Sequence, residues 1–526
     1  MSVSEASVAV TETAPETRAT RSKRPILIGL LAILLMMLSF GAWALASPVG
    51  ASPDEDFHLA SIWCGSGERE GLCGPGSTAD SRMVPDNIER AICYAHEPDV
   101  SAACQGKNFL DGAFGLTDSD RVNGDGLYPS GYYFWTSLLA GDNMVISTLL
   151  IRFAQALLFS ALTVGLWALL PRKNRLAYVG GIVATFVPFG MFLIPSINPS
   201  GWAISSAVLL LPSLVGYLST TGWRSWALGG YAVLAALLGL GARGDAAAYT
   251  AIAVLAALVL TFEKSRAYFV RAILPLALMV FAAFAFLSAN QTGSALSGGM
   301  ALNDAAEIPK RALIAINLFD LPELFLGIVG QNFDGSPYSG LGWLDTPLPG
   351  LVWFSTTAVL AGVLFVALAR SDWRKTIALA GVGLATIAIP MLLLVQNGVT
   401  VGWQVQPRYI MPLLIMFVIV ALMPTRERGS VDAGVPVWRQ PTFSLVQGGV
   451  AAGLLTVANS VALFFNMRRY VAPGELDLNG AAEWWWRVGP SPMVVWGTGT
   501  LAFALFAALL LWVASAQRRK VNDGAE

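Results

Sequence analysis

The chain has 526 residues, 55% of them hydrophobic and only 13% charged, with a net charge of −1. A soluble domain carries about 25% charged residues, so a soluble enzyme and a disordered chain are excluded, and the near-zero net charge leaves no basic footprint for a nucleic acid. What remains is an all-α polytopic membrane protein in contact with the lipid bilayer. A helix crossing the hydrocarbon core needs about 20 mostly apolar residues. Twelve such stretches are predicted, at 26–46, 145–170, 177–195, 201–219, 226–242, 246–262, 270–288, 348–369, 376–395, 408–424, 444–466 and 493–515. They read as helices because an open sheet cannot satisfy its backbone groups in lipid. The chain divides into a disordered cytoplasmic tail (1–25), a transmembrane core (26–424) that includes an outer loop at 47–141, a pair of C-terminal spans (425–515) and a cytoplasmic tail (516–526).

The first span is preceded by Arg18, Arg21, Lys23 and Arg24. By the positive-inside rule this places the N-terminus in the cytoplasm. Alternation through twelve spans then puts 20 of the 33 basic residues on that side, the Arg518–Lys520 cluster among them. The expected location is a cell membrane, crossed many times, with both termini cytoplasmic. Ala44-Leu45-Ala46 resembles a signal cleavage site, but the preceding apolar run of about 21 residues is long for a signal core. The segment is read as a retained span.

Residues 47–141 form a long outer loop with fourteen acidic and five basic residues. It holds all four cysteines of the chain, Cys64, Cys73, Cys93 and Cys104, and both histidines, His58 and His96. An even set of cysteines in one loop points to two disulfides and an oxidising compartment. Of the three connectivities, the sequential pairing Cys64–Cys73 and Cys93–Cys104 is expected. The alternative, a zinc site, lacks any CxxC pair. Further along, Leu318 to Gly330 is apolar but too short to span and is broken by Pro322, as in an interfacial or re-entrant helix. Trp484, Trp485, Trp486 and Arg487 read as an interface belt.

Three constellations could carry chemistry. In Ser52-Pro53-Asp54-Glu55-Asp56-Phe57-His58, adjacent carboxylates should repel, so at least one pKa is expected to be raised. A carboxylate there suits a general base, and Asp54 and Glu55 together suit a divalent cation, magnesium, manganese or calcium. Pro53 can open a helix, which would put Asp54 and His58 on one face; the plain alternative is a solvated acidic turn. The second constellation is Arg152 inside a span, with Arg243 and Arg408 at outer helix ends. Charges at such depths default to function, and the arginine fork suits phosphate. The plain alternatives are an ion pair inside the bundle for Arg152, a local pair with Asp245 for Arg243 and snorkelling for Arg408. The third mixes aromatic and polar residues at outer segments: Tyr128 to Trp135, Ser196 to Gly201 around Asn198, and Gly340 to Pro349 with Trp343 and Asp345.

Taken in order, Pro53-Asp54-Glu55…His58, Tyr128-Pro129…Tyr132-Tyr133, Ser196-Ile197-Asn198-Pro199, Arg243-Gly244-Asp245, Gly342-Trp343-Leu344-Asp345-Thr346 and Gln406-Pro407-Arg408-Tyr409 resemble domain-of-unknown-function family 2142. That family is grouped with the GT-C glycosyltransferases, and the resemblance runs roughly from residue 25 to 425. It implies a GT-C fold and a sugar donated by a polyprenyl phosphate to a glycan or lipid acceptor of the cell envelope. It further implies Asp54 as catalytic acid position, with Glu55 and His58 beside it, and Arg408 as phosphate ligand with Arg243 and Arg152 assisting. Tyr128, Tyr133, Asn198, Asp245, Trp343, Asp345, Gln406 and Tyr409 are the substrate-facing residues this implies. The family's His-Pro-Pro before the second span reads Tyr128-Pro129-Ser130 here, and its Gly-Arg-Tyr reads Pro407-Arg408-Tyr409. The competing expectation is a transporter or flippase of a lipid-linked glycan, although no inverted repeat stands out.

Overall fold

The computed structural model describes residues 24–106, 109, 115–288, 308–327, 330–331, 337–402, 405–426, 438–480, 484–486 and 489–522. Arg487 and Gln404 lie outside these, as does the N-terminal tail before Arg24. The helices run in chain order as α1 (Arg24–Leu45), α2 (Glu55–Trp63), α3 (Asn87–Arg90), α4 (Ser130–Ser137), α5 (Met144–Leu169), α6 (Arg172–Thr185), α7 (Phe189–Leu193), α8 (Ser200–Ser219), α9 (Gly222–Leu240), α10 (Ala246–Thr261), α11 (Arg266–Arg271) and α12 (Ile273–Ser288). Beyond them lie helices Lys310–Asp320, Gly350–Leu368, Trp373–Asn397, Pro407–Leu422, Leu445–Val471 and Pro492–Asn522.

All twelve expected stretches fall on helix, but eight helices among the described residues are both long and apolar enough to cross a membrane. The other four show why. Helices α10 and Pro407–Leu422 have 16 residues each. Helix α9 opens on Gly222-Trp223-Arg224-Ser225, which lowers its hydropathy. The 177–195 stretch is two helices, because Pro188 has no N–H to continue α6. The Leu318–Gly330 stretch continues helix Lys310–Asp320 into a 3-10 turn, Leu321–Gly327, which packs against Pro407–Leu422.

The centre of the bundle is α8. Every residue from Ser200 to Leu218 is buried, a mostly apolar helix enclosed on all sides, its serines included. It packs on α9, α10 and Pro407–Leu422. The outer helices instead turn Phe284, Leu287 and Phe365 outward, side chains that suit lipid rather than water.

The loops sort into two ends. At one end, three arginines and a lysine donate to helix C-terminal carbonyls that have no partner within their own helix. Arg175 Nε and Arg224 Nη2 reach Leu170 O at 3.1 and 2.7 Å, Arg271 Nη2 reaches Tyr217 O at 2.8 Å, and Lys375 Nζ reaches Ala367 O at 2.9 Å. Arg24, at the start of α1, lies over the Trp512 ring of the last helix. At the other end, the 47–141 loop meets residues 197–198, 243–245, 343–346, 408–409 and 469–470.

That loop carries a three-stranded antiparallel sheet, β1 (Gly74–Pro75), β2 (Arg82–Pro85) and β3 (Leu116–Ser119), an addition to the all-α expectation. Its disulfides are Cys64–Cys73 and Cys93–Cys104, the sequential pairing. The tryptophan run corrects one expectation: Trp485 and Trp486 are buried, and Trp486 Nε1 donates to Leu45 O at 2.8 Å. Trp486 thereby ties the last loop to the end of α1, and Trp485 packs against Tyr470, ring centroids 6.3 Å apart, rather than either lying in an interface belt.

Candidate functional site

Helix α2 starts directly after Pro53, and its N-cap is Asp54 in the left-handed conformation, φ 58°. A non-glycine residue held there costs on the order of 1–3 kcal/mol and persists only where its surroundings impose it. Here they do. Pro53 O accepts from Asn198 Nδ2 at 2.9 Å and from Arg408 Nη1 at 3.3 Å, and Ser52 Oγ donates to Ile197 O at 3.1 Å. Asp54 makes no cap hydrogen bond to its own helix, forgoing about 1 kcal/mol. Its Oδ2 accepts instead from Arg408 Nη2 at 2.7 Å. The Arg408 side chain is 2% exposed while that of Asp54 is 38% exposed. The carboxylate therefore faces the loop surface with the guanidinium buried behind it.

The three adjacent acids diverge. Glu55 is fully buried and pairs with Arg152 at 3.0 Å. It also accepts from Ser52 N at 2.7 Å, and Arg152 further donates to Ala44 O, Ser47 O and Pro48 O. Asp56 takes a bidentate contact from Arg121 at 2.8 and 2.9 Å. Each carboxylate thus has its own arginine, which corrects the expectation of mutual repulsion. Burial would raise the Asp54 pKa, but the charge and hydrogen bond of Arg408 and the nearby Arg121 outweigh it, and it lies below the ordinary value. The donor set does not fit a divalent cation. Asp54 and Glu55 are turned to different arginines, and among the described residues no three of His, Cys, Asp and Glu gather.

His58, four residues after Asp54, is brought beneath it but points Nδ1 at Tyr133 Oη, 2.9 Å away. Burial, opposed by Asp54 and reinforced by Arg408, Arg243 and Arg121, pushes its pKa down to about 3. It is neutral at physiological pH. Arg243 makes the expected bidentate pair with Asp245, both contacts 2.9 Å, yet it also faces the site. Its guanidinium lies 4.6 Å from the Tyr409 ring centroid, and that of Arg408 lies 5.1 Å from the same ring. Tyr128 sits beside both arginines, and burial pushes its pKa up to about 12, so its hydroxyl keeps its proton. Tyr249 Oη ties α10 in, donating to Tyr409 O at 2.5 Å and lying 3.1 Å from Asp245 Oδ2.

Arg408 Nε and Gln406 Oε1 are buried with no hydrogen-bond partner among the described residues. One residue from Arg408 a small apolar cleft of about 10 Å³ begins, room for a single water, lined by Thr185, Phe189, Leu324, Pro407, Ile410 and Met411 among others.

Asp54, His58, Arg408, Arg243, Asp245, Tyr128, Tyr133, Asn198, Gln406 and Tyr409 thus share one region. Trp343 and Asp345 do not. Trp343 Nε1 donates to Gly50 O at 2.8 Å, and Asp345 pairs with Arg469 at 3.0 Å, both buried. Glu55 and Arg152 form an interior pair that anchors the start of α2. Sequence reasoning missed Arg121, Tyr249 and Arg469. Arg469 had a signal, a cation at the end of a long apolar helix like Arg408; Arg121 had none, being one basic residue in an acidic loop.

Residues 35–418 match the family described as a predicted membrane protein, DUF2142. The chain belongs to this family. No curated protein and no solved structure matches it. The family match spans every residue of the Asp54–Arg408 region.

Proposed function

We propose that this chain is a GT-C-type membrane glycosyltransferase that moves a sugar from a polyprenyl phosphate to a cell-envelope glycan or lipid on the extracytoplasmic face. The observation that carries it is the Asp54–Arg408 pair: a partly exposed carboxylate on a left-handed N-cap residue against a buried guanidinium, beside a second arginine. In this reading the acceptor hydroxyl gives its proton to Asp54, its oxygen bonds to the anomeric carbon, and the bond from that carbon to the polyprenyl phosphate breaks. Arg408 and Arg243 stabilise the negative charge gathering on the leaving phosphate.

The ion pair makes Asp54 a weak base in the resting site. A donor phosphate on Arg408 would neutralise the charge that holds the carboxylate down, so donor binding itself raises the basicity of Asp54. Twelve crossings, with both termini cytoplasmic, belong to this proposal. They are supported by the sorting of basic loops to one end and the Asp54 region to the other.

The break between α6 and α7 favours a second reading, since transporters use discontinuous helices. Their ionisable groups, however, gather near the midplane, whereas these sit at one end. Vesicles loaded with a labelled polyprenyl-phosphate sugar separate the two. Cleavage of the sugar from its phosphate, lost in Asp54→Asn, supports transfer; movement of intact lipid without cleavage overturns it.

A further inference from the structure

A second charged cluster lies at the end of the bundle opposite Asp54. Lys173, at the start of α6, places Nζ 3.7 Å from the centroid of the Trp438 ring, and the Arg426 guanidinium lies 5.0 Å from the same ring. Arg426 Nη2 pairs with Glu263 at 2.6 Å, and its backbone N–H donates to Asp372 Oδ2 at 3.0 Å. Phe262, next to Glu263, packs against Trp373, ring centroids 6.4 Å apart. That contact brings Arg374 alongside, where Arg426 acts on both it and Lys173 as a like charge.

The acids present do not satisfy these cations. Glu263 is occupied by Arg426, and both Asp372 oxygens accept backbone N–H groups, from Lys375 and from Arg426, each at 3.0 Å. Arg374 Nε, Arg374 Nη1 and Arg426 Nε are buried with no acceptor among the described residues. Unsatisfied donors on charged groups are costly, and gathering three cations around them adds repulsion. An anion with several acceptor oxygens would remove both costs. Two exposed aromatics, Trp373 at 56% and Phe262 at 38%, flank the cluster at the ends of their helices, the depth at which aromatic rings and lipid headgroups meet.

We propose that Lys173, Arg374 and Arg426 form a binding site for a phosphate-bearing anion, separate from the Asp54 region. The chemistry recognised is a phosphate group, carried by an anionic lipid headgroup or by free phosphate.

The test uses the full chain in phosphatidylcholine nanodiscs, with phosphatidylglycerol or with inorganic phosphate added, read as thermal unfolding. Either anion is expected to raise Tm by roughly 4 °C, as for a ligand well above its Kd. A rise with phosphatidylglycerol alone assigns the headgroup, and a rise with phosphate in phosphatidylcholine assigns the soluble anion. The double variant Lys173→Gln/Arg374→Gln is expected to lose the rise and to be more stable than wild type in phosphatidylcholine, because repulsion is relieved. Arg374→Lys keeps the charge, drops the fork and is expected to fold with at least half the rise lost. No rise in the wild type, or an undiminished rise in either variant, overturns the site.

Discussion

At the scale of the residue, the decisive pairings join positions far apart in sequence. Asp54 and Arg408 were each legible, because a chain with 13% charged residues places a charge beside a membrane span only for a reason. Their contact was not, since nothing local to either position encodes a partner on another element. The same holds for the acids: read as a run, Asp54, Glu55 and Asp56 should repel, and only the fold shows an arginine for each. His58 leads to a pH prediction. A histidine takes a proton near pH 6.5 in an unfolded chain, whereas here it stays neutral down to about pH 3. Between those values the unfolded state binds more protons, so stability falls as pH falls, by up to about 1.4 kcal/mol per unit. The depressed Asp54 pKa acts in the same direction but only below its ordinary value, 3.8. His58→Gln is therefore expected to flatten the Tm–pH curve from 6.5 down to about 3, most cleanly above 3.8, while leaving the Asp54 contribution below 3.8. An unchanged slope in the upper window contradicts the buried neutral histidine.

At the scale of the element, α2 is a nine-residue helix that needs external support, because isolated helices shorter than about 12 residues are marginal. The Cys64–Cys73 loop supplies it. Arg69, inside that loop, donates to Trp63 O at 2.6 Å at the end of α2 and to Ala140 O at 3.0 Å just beyond α4. The loop thus braces the helix that carries Asp54 against the helix that carries Tyr133. The cysteines were legible as two disulfides, but the brace was not, because its contacts run to carbonyls, which every residue has. Nor was the β1–β3 sheet, whose strands of two to four residues give no periodicity. Replacing Cys64 and Cys73 by Ser is expected to lower transfer roughly tenfold or more through misplacement of Asp54. The spans should remain assembled, read as an unchanged size-exclusion peak. Full transfer activity in that variant would mean that α2 holds its position without the loop.

At the scale of the whole molecule, hydropathy located every long helix, because burial in lipid demands one kind of residue regardless of partner. Four of its twelve stretches lie on helices that are shorter or less apolar than the eight clearest spans. Helices α10 and Pro407–Leu422 have 16 residues each, and Pro407–Leu422 is buried along most of its length. Charge sorting foretold which loops share an end, and the arginine-to-carbonyl contacts at the basic end give that sorting a physical role beyond topology. The twelve-crossing proposal is tested by labelling. All four native cysteines are in disulfides, so single cysteines can be added at Ser77 in the outer loop and at Ser371 at the basic end. An impermeant maleimide on intact cells is expected to label Ser77→Cys and not Ser371→Cys; the reverse pattern contradicts the orientation.

The central claim is that Asp54, released from Arg408 by a donor phosphate, accepts the acceptor's proton. The most direct measurement is single-turnover transfer of a labelled sugar from a polyprenyl phosphate by purified wild type and by Asp54→Asn at equal folded concentration. General-base catalysis contributes typically 10²–10⁴-fold, and a loss of that size with donor binding retained is the expected result. Transfer by Asp54→Asn at the wild-type rate would contradict the account.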